Sequence, residues 1–218
     1  LIKVLNPKKA KTLDNVINQN PQSAYKDKAF WIFLASMTLF GIIFLQYFST
    51  MPLYYKDVHK LSEFEIGLLL GLNGFFIFFL NIPLIKWLEH TRYTKPGLMI
   101  FGAALTLVSF LVLDLTSWVG VLVIGMLLMT IGEMIAFPFS NAFAMQRAKK
   151  GNQGEYMALY TISFSISHIF GHNAGLHLVD SFGFDATWLI MGFLGLICVS
   201  LLYYLKQYLK SKNELYLK

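Results

Sequence analysis

The chain has 218 residues, of which 56% are hydrophobic, 16% aromatic and only 14% charged, and its formal net charge is +6. Soluble domains have about 25% charged residues, so this composition, with a mean hydropathy of +0.56, excludes a globular protein built on one core. The basic residues are scattered over loops and tails without interleaved aromatic residues, which argues against a nucleic-acid partner.

A polar, lysine-rich segment precedes the apolar part of the chain. Residues 1–28 contain six lysines mixed with asparagine, glutamine and two prolines. This composition is typical of a solvated linker at a membrane surface. We therefore divide the chain into a basic linker over 1–28, a transmembrane bundle over 29–209 and a polar tail over 210–218.

Six long apolar runs follow the linker, and each is long enough to cross a bilayer core of about 30 Å as a helix. Their predicted bounds are 29–52, 64–88, 97–113, 118–146, 156–179 and 186–205. Because the connections are short, neighbouring helices are expected to be antiparallel. The sequence therefore predicts an all-α membrane protein with six transmembrane helices.

The distribution of lysine and arginine predicts the orientation of this bundle. Sixteen of these residues lie in the linker, in the loops after the second and fourth runs, and at the C-terminal end. The opposite side carries only Lys56 and Lys60. Because cytoplasmic loops of membrane proteins are enriched in basic residues, both ends of the chain are expected in the cytoplasm, with the bundle in the inner membrane.

Small residues predict where helices approach closely. Gly67 and Gly71 lie four positions apart in the second run. In the fifth run small residues recur every four positions, at Ser163, Ser167, Gly171 and Gly175. Such spacing lets helix backbones come together in a membrane, so we interpret both sets as packing faces.

One carboxylate lies deep in the apolar part of the chain. Glu133, near the middle of the fourth run, is the only acidic or basic residue well inside any run. A charge at the centre of a membrane helix costs about 2.5 to 3.5 kcal/mol on insertion scales and is normally retained for a cavity or a partner. Glu133 is therefore our candidate proton or substrate site. A structural glutamate that bonds to a neighbouring helix stays open as the alternative.

Uncharged polar residues at membrane depth supply further candidates. His168 and His172 lie four positions apart in the fifth run and could line a proton or substrate pathway, or pack by hydrogen bonds. Gln46, Asn73 and Asn141 could bind a substrate, although such residues also hold helices together. No metal site is predicted, because the two histidines lack a third ligand and the HExxH pattern.

The fourth and fifth runs are joined by a short basic loop. Arg147 and Glu155 flank this loop, and we predict that they form a gate pair. Enzyme signatures are absent from the sequence, including a phosphate-binding glycine loop and a nucleophilic serine motif. We therefore expect neither an enzyme nor a cofactor.

Two stretches of sequence resemble a known family. Gly132-Glu133-Met134-Ile135-Ala136-Phe137-Pro138, followed by Gln153-Gly154-Glu155-Tyr156-Met157-Ala158-Leu159-Tyr160, is similar to the C-terminal half of major facilitator superfamily transporters, in particular bacterial drug:proton antiporter-like members. In those relatives the tenth helix carries a Gly-Glu pair followed by a proline. Two departures are visible: the 86–92 loop lacks the glycine and aspartate of the family's loop motif, and His172 stands where relatives commonly have proline.

The resemblance implies a specific architecture and partner. Two six-helix halves would enclose a central cavity, each half being a 3+3 inverted repeat that rocks against the other. This chain would then need the N-terminal six-helix half, a lipid bilayer and a small-molecule substrate, with a proton gradient as the driving force.

The sequence therefore favours the C-terminal half of a proton-coupled secondary transporter that works by alternating access, with multidrug efflux as one such activity. The alternative is a non-transporting six-helix module that serves as a scaffold or receptor subunit.

Overall fold

The computed structural model describes residues 23–114, 118–149 and 152–214. Most of the predicted linker and the last four residues lie outside these ranges. Within them a short 3-10 helix, Ala24–Lys26, precedes five α-helices. The helices are α1 Lys28–Asp57, α2 Glu63–Glu89, α3 Lys95–Asp114, α4 Gly120–Ala148 and α5 Gln153–Ser211. All five are long and apolar enough to cross a membrane.

The last helix is not one straight rod. Gly183 has φ of 80° and ψ of 176°, a backbone region that glycine adopts almost alone. Ser167, before this point, donates a hydrogen bond to the Thr38 carbonyl at 2.9 Å, and Cys198, after it, donates to the Ser36 carbonyl at 3.3 Å. Since both reach the same turn of α1, the chain reverses at Gly183. We call the two antiparallel stretches α5a, residues 153–182, and α5b, residues 184–211.

The predicted face of small residues on α5a packs against α1. Ser163, Ser167, Gly171 and Gly175 are all buried. A methyl group placed on Gly171 would lie 2.9 Å from the Leu45 side chain, and one on Gly175 would lie 1.6 Å from Gln46 Oε1. The two helices therefore approach closely because these positions have no side chain.

A second close contact joins α3 and α4. A methyl group on Gly102 would lie 2.7 Å from the Gly132 carbonyl oxygen, and one on Gly132 would lie 2.6 Å from Thr106 Oγ1. Farther along, Gly125 lies against Leu113, so the two helices run antiparallel. The residue next to Glu133 is therefore fixed against α3.

Helix α2 packs much more loosely than the others. Of its 27 residues only Ile66, Asn73 and Leu88 are buried. A methyl group on Gly67 or Gly71 would meet no atom within 4 Å, so the helix contact predicted at this pair is absent from the described part of the chain. Apolar surface of α2 remains open instead, including Phe75, Phe78 and Phe79.

Candidate functional site

Glu133 is buried and bonded to a helix that is distant in sequence. Its side chain is 6% exposed, and its Oε1 accepts a hydrogen bond from Asn73 Nδ2 on α2 at 2.7 Å. The same Asn73 nitrogen donates to Thr130 Oγ1 at 2.9 Å. Thr130 lies three residues before Glu133, so both side chains project from one face of α4. Two of the predicted site residues, Glu133 and Asn73, are thus brought together.

This contact joins a firmly held helix to a loosely held one. Gly132 fixes α4 against α3, while α2 buries a single polar side chain, that of Asn73. The carboxylate lines neither of the two cavities described below. A displacement of α2 would break the Asn73 hydrogen bond and uncover Glu133.

An aromatic cavity of about 440 Å³ opens beside α4 at the level of Phe137, one turn after Glu133. Its lining comes from α1, α4 and α5a and consists of Gly41, Phe44, Leu45, Phe48, Phe137, Phe164, His168 and His172. The histidine rings, whose centroids lie 5.7 Å apart, are the polar part of this lining. The volume lies within the range of small-molecule pockets, about 300 to 1,000 Å³. The predicted histidine pair therefore faces a space that could hold a small molecule.

The other two polar candidates lie elsewhere. Gln46 is fully buried between α1 and α5a, where its Nε2 donates to the Gly171 carbonyl at 2.7 Å and its Oε1 accepts from Thr50 at 2.7 Å. Its amide thus holds two helices together. Asn141 is exposed on α4, two turns beyond Glu133. The structure does not bring either residue to the Glu133 carboxylate.

A buried ion cluster ties the ends of three helices together. Arg147 donates from Nε to Asp27 Oδ2 at 2.5 Å and from Nη2 to Asp27 Oδ1 at 2.8 Å. The Arg147 Nη1 also donates to Glu214, and the Tyr156 hydroxyl donates to Asp27 Oδ2 at 2.9 Å. Asp27 is 1% and Arg147 6% exposed. We call Asp27, Arg147, Tyr156 and Glu214 the Arg147 cluster.

The predicted gate pair is not formed in this structure. Glu155 accepts hydrogen bonds from Ser23 Oγ at 2.9 Å and from the Ala24 backbone N–H at 3.2 Å, while Arg147 binds Asp27 and Glu214. The physical reason is geometry, since Asp27 offers both oxygens to the planar guanidinium at once. Both residues nevertheless fasten the segment before α1 to the rest of the bundle.

The charge state of Asp27 follows from these contacts. Burial by itself would raise the pKa of the Asp27 carboxyl, but the hydrogen bonds and positive charge of Arg147, with the Tyr156 hydroxyl and the Phe30 backbone N–H, hold that pKa below its ordinary value. Asp27 is therefore ionised at neutral pH, and the Arg147 cluster contains a true ion pair.

Sequence reasoning missed four contributors to these sites: Asp27, Tyr156, Glu214 and Thr130. Asp27 directly precedes α1 and caps it by accepting a hydrogen bond from the Phe30 backbone N–H at 3.2 Å, so a helix-capping signal could have marked it. Glu214 and Thr130 carry no local signal, because their roles depend on contacts with distant parts of the chain.

Comparison with known proteins decides the family. The model of the family described as Major Facilitator Superfamily matches residues 4–172 and, in an overlapping match, residues 91–216. The chain belongs to the Major Facilitator Superfamily. With its long apolar helices, this member of the Major Facilitator Superfamily is an all-α, multi-pass membrane protein.

Three relatives are similar to the chain over most of its length. A Na(+), Li(+), K(+)/H(+) antiporter of Planococcus maritimus is 23% identical over 77% of the chain and 42% of that protein. Two uncharacterized MFS-type transporters of Bacillus subtilis (strain 168), YqjV and YttB, are 26% and 27% identical over 72% and 88% of the chain. These alignments cover 38% of YqjV and 48% of YttB, so the chain spans less than half the length of each relative.

Proposed function

We propose that this chain is the C-terminal half of a proton-coupled secondary transporter that works by alternating access with a second six-helix half. Family membership supports a transporter, and the chain's coverage of under half of each relative supports a half. In this proposal the complete protein lies in the inner membrane with both ends of this chain in the cytoplasm.

The proposed half crosses the membrane six times as a 3+3 inverted repeat. The reversal at Gly183 supports six crossings, since α5a and α5b would each span the bilayer. A single helix of 59 residues would be about 88 Å long at 1.5 Å per residue, far more than a bilayer core needs. The one-sided distribution of lysine and arginine supports the orientation.

The observation that carries the proposal is the Glu133–Asn73 hydrogen bond of 2.7 Å. A carboxylate at membrane depth is costly, and here it is held by a single helix that buries little else. Glu133 would bind a proton when α2 moves away from α4 and release it when access to water changes sides. Asn73 would then donate to Glu133 only while α2 lies against α4.

Two substrate classes are compatible with this site, and each has its own support. The aromatic cavity beside Phe137 favours a small organic compound, as in multidrug efflux, because phenyl rings bind apolar and cationic molecules. The similarity to the Na(+), Li(+), K(+)/H(+) antiporter of Planococcus maritimus favours a monovalent metal cation exchanged for a proton. Proton coupling through Glu133 is common to both.

The test measures proton movement in everted vesicles that contain the full-length transporter of which this chain would form half. A fluorescent pH probe reports proton release when Na⁺, K⁺ or Li⁺ is added in one arm and an organic cation dye in the other. We expect Glu133→Gln to reduce the response to that of vesicles without the transporter. Glu63→Gln, which changes an exposed carboxylate in an ion pair with Lys56, is the matched control and should respond like wild type.

The outcome also separates the transporter from its alternative. A normal response from Glu133→Gln would remove this carboxylate from proton coupling. No response from wild type to any substrate in either arm would favour the non-transporting scaffold or receptor module.

A further inference from the structure

A second large cavity lies at the end of the bundle where most of the basic residues are found. Its volume is about 510 Å³, and it is enclosed by the α2–α3 loop, the last turns of α4 and the end of α5b. Apart from Arg147 and Glu214, it uses none of the residues assigned to the sites above. The cavity therefore needs an explanation of its own.

The wall of this cavity that faces the bundle is apolar. It is formed by five hydrophobic side chains that are buried in the core, Leu88, Leu98, Phe139, Phe143 and Leu209. Such a wall offers contact to hydrocarbon and provides no hydrogen-bonding groups to a small ion. A ligand that fills this space must therefore carry an apolar portion.

The rim of the cavity is basic. Arg92 is exposed and makes no ion pair or hydrogen bond with any residue that the structure describes. Lys95 donates a hydrogen bond to Gln146 Oε1 at 2.7 Å, and Lys149 lies close enough for the two like charges to repel. Of the two acidic residues in the lining, Glu89 interacts with Lys95 and Glu214 is bound by Arg147. The rim thus has an excess of positive charge that the described chain leaves unneutralised.

The rim also lies where lipid headgroups lie. Arg92 and Tyr93 belong to the short connection between two apolar helices, and Tyr93 is 71% exposed, as aromatic residues at the membrane–water boundary are. Basic pockets between membrane helices bind anionic headgroups. From the apolar wall and the basic rim we propose that this cavity binds an anionic phospholipid, with its phosphate on Arg92 and Lys95 and its acyl chains along the wall.

The test counts lipids that remain on the purified full chain. The protein is equilibrated in detergent with equal amounts of phosphatidylglycerol and phosphatidylcholine of identical acyl chains, and bound lipid is counted by native mass spectrometry. Wild type should prefer phosphatidylglycerol. The double variant Arg92→Gln/Lys95→Gln should lose this preference by about fivefold for each cation removed. The control Lys26→Gln/Lys28→Gln removes two exposed cations, one from the short 3-10 helix and one from the first position of α1, and should retain the preference.

A second variant tests the apolar wall without changing charge. Ala142 lines the cavity, so Ala142→Trp should fill it and displace the lipid while the rim stays intact. Loss of phosphatidylglycerol in both cavity variants supports the proposal, and the tryptophan variant decides the result if the double variant fails to fold. The proposal is overturned by equal retention of the two lipids on wild type or by an equal loss in the control. Displacement of phosphatidylglycerol by millimolar inorganic phosphate would also overturn it, because the site would then serve a free anion.

Discussion

The hydrogen bond between Asn73 and Glu133 joins two helices that otherwise share little buried surface. Asn73→Ala removes the donor that the structure gives to the carboxylate, and we expect a loss of about 1 to 3 kcal/mol in the free energy of unfolding. Thermal unfolding in detergent measures it. The matched control is Asn81→Ala on the same helix, because the Asn81 side-chain oxygen has no hydrogen-bond partner among the described residues.

A double-mutant cycle shows whether the two side chains act on each other. If they do, Asn73→Ala should cost much less in a Glu133→Ala background, which has no acceptor for the Asn73 amide, than in wild type. Additive losses would mean that Asn73 stabilises the bundle through Thr130 or through packing alone.

Asp27 makes a comparable prediction at the end of the bundle. Asp27→Asn keeps a good helix cap but removes the charge that pairs with buried Arg147, so we expect a loss of about 3 kcal/mol in stability. Asp57→Asn, an exposed aspartate at the other end of α1, should change the melting temperature little.

The pH dependence of this loss follows from the sign of the shift. The pKa of Asp27 is lower in the folded protein than in the unfolded chain, so the unfolded chain binds the proton first as pH falls. The contribution of Asp27 is complete above its unfolded pKa of about 3.9 and disappears as pH falls through the folded value. The stability difference between wild type and Asp27→Asn should therefore be constant from pH 7 to pH 5 and shrink below about pH 4. A difference that shrinks already near pH 6 would contradict the ion pair.

The residue pairs show what a single sequence can and cannot predict. Glu133 could be identified alone, because a charge inside an apolar run is costly wherever its partner lies. The pairing could not, since Asn73 was a candidate only as a polar residue at membrane depth and lies 60 residues away from Glu133. Glu155 was predicted as the partner of Arg147 because it is close in sequence. The carboxylate that pairs with the Arg147 guanidinium is that of Asp27, 120 residues away.

The contact between α1 and α5a depends on glycine. Gly175→Ala would place a methyl group 1.6 Å from Gln46 Oε1 and 2.5 Å from Thr50 Oγ1, both fully buried. Such overpacking typically costs about 1 to 3 kcal/mol, so we expect a lower melting temperature. Gly71→Ala on α2 is the control, because its methyl group meets no atom within 4 Å and alanine favours a helix by about 1 kcal/mol. A Gly175→Ala variant as stable as Gly71→Ala would show that helix propensity, and not packing against Gln46 and Thr50, controls the effect.

The positions of the helices were largely predictable from the sequence, since long stretches of high hydropathy identify transmembrane helices. The first four apolar runs each coincide with one observed helix, and the bounds differ by a few residues: α4 begins two residues later than predicted, and the other ends extend beyond the apolar run. At α2, for example, Ser62 and Glu65 form a reciprocal capping box that starts the helix before the apolar run begins. Packing was less predictable: glycine spacing marked a close contact on α5a, whereas Gly67 and Gly71 meet no neighbour among the residues that the structure describes, because spacing alone does not say which helix lies opposite.

The described bundle has a tight side and a loose side when taken as a whole. Glycines allow close packing at both the α1–α5a and the α3–α4 contact, whereas α2 buries three residues and leaves Phe75, Phe78 and Phe79 exposed. The proposed proton site lies at the boundary between the two sides. In the proposed mechanism α2 would move away from α4 while the glycine contacts between the other helices stay in place.

The reversal at Gly183 leads to a prediction about the whole topology, which cysteine labelling in intact cells can check. In a Cys198→Ala background, single cysteines replace Lys60, Asp185 or Arg92, which are exposed. If α5 crosses the membrane twice, residue 185 lies on the same side as residue 60. A membrane-impermeant maleimide should then label Lys60→Cys and Asp185→Cys in intact cells, and Arg92→Cys only after permeabilisation. Labelling of both Asp185→Cys and Arg92→Cys in intact cells would place residues 185 and 92 on the same side of the membrane. Because α5a begins on the side of residue 92, α5a would then not cross the membrane. This result would contradict both the six crossings and the proposed orientation of the half.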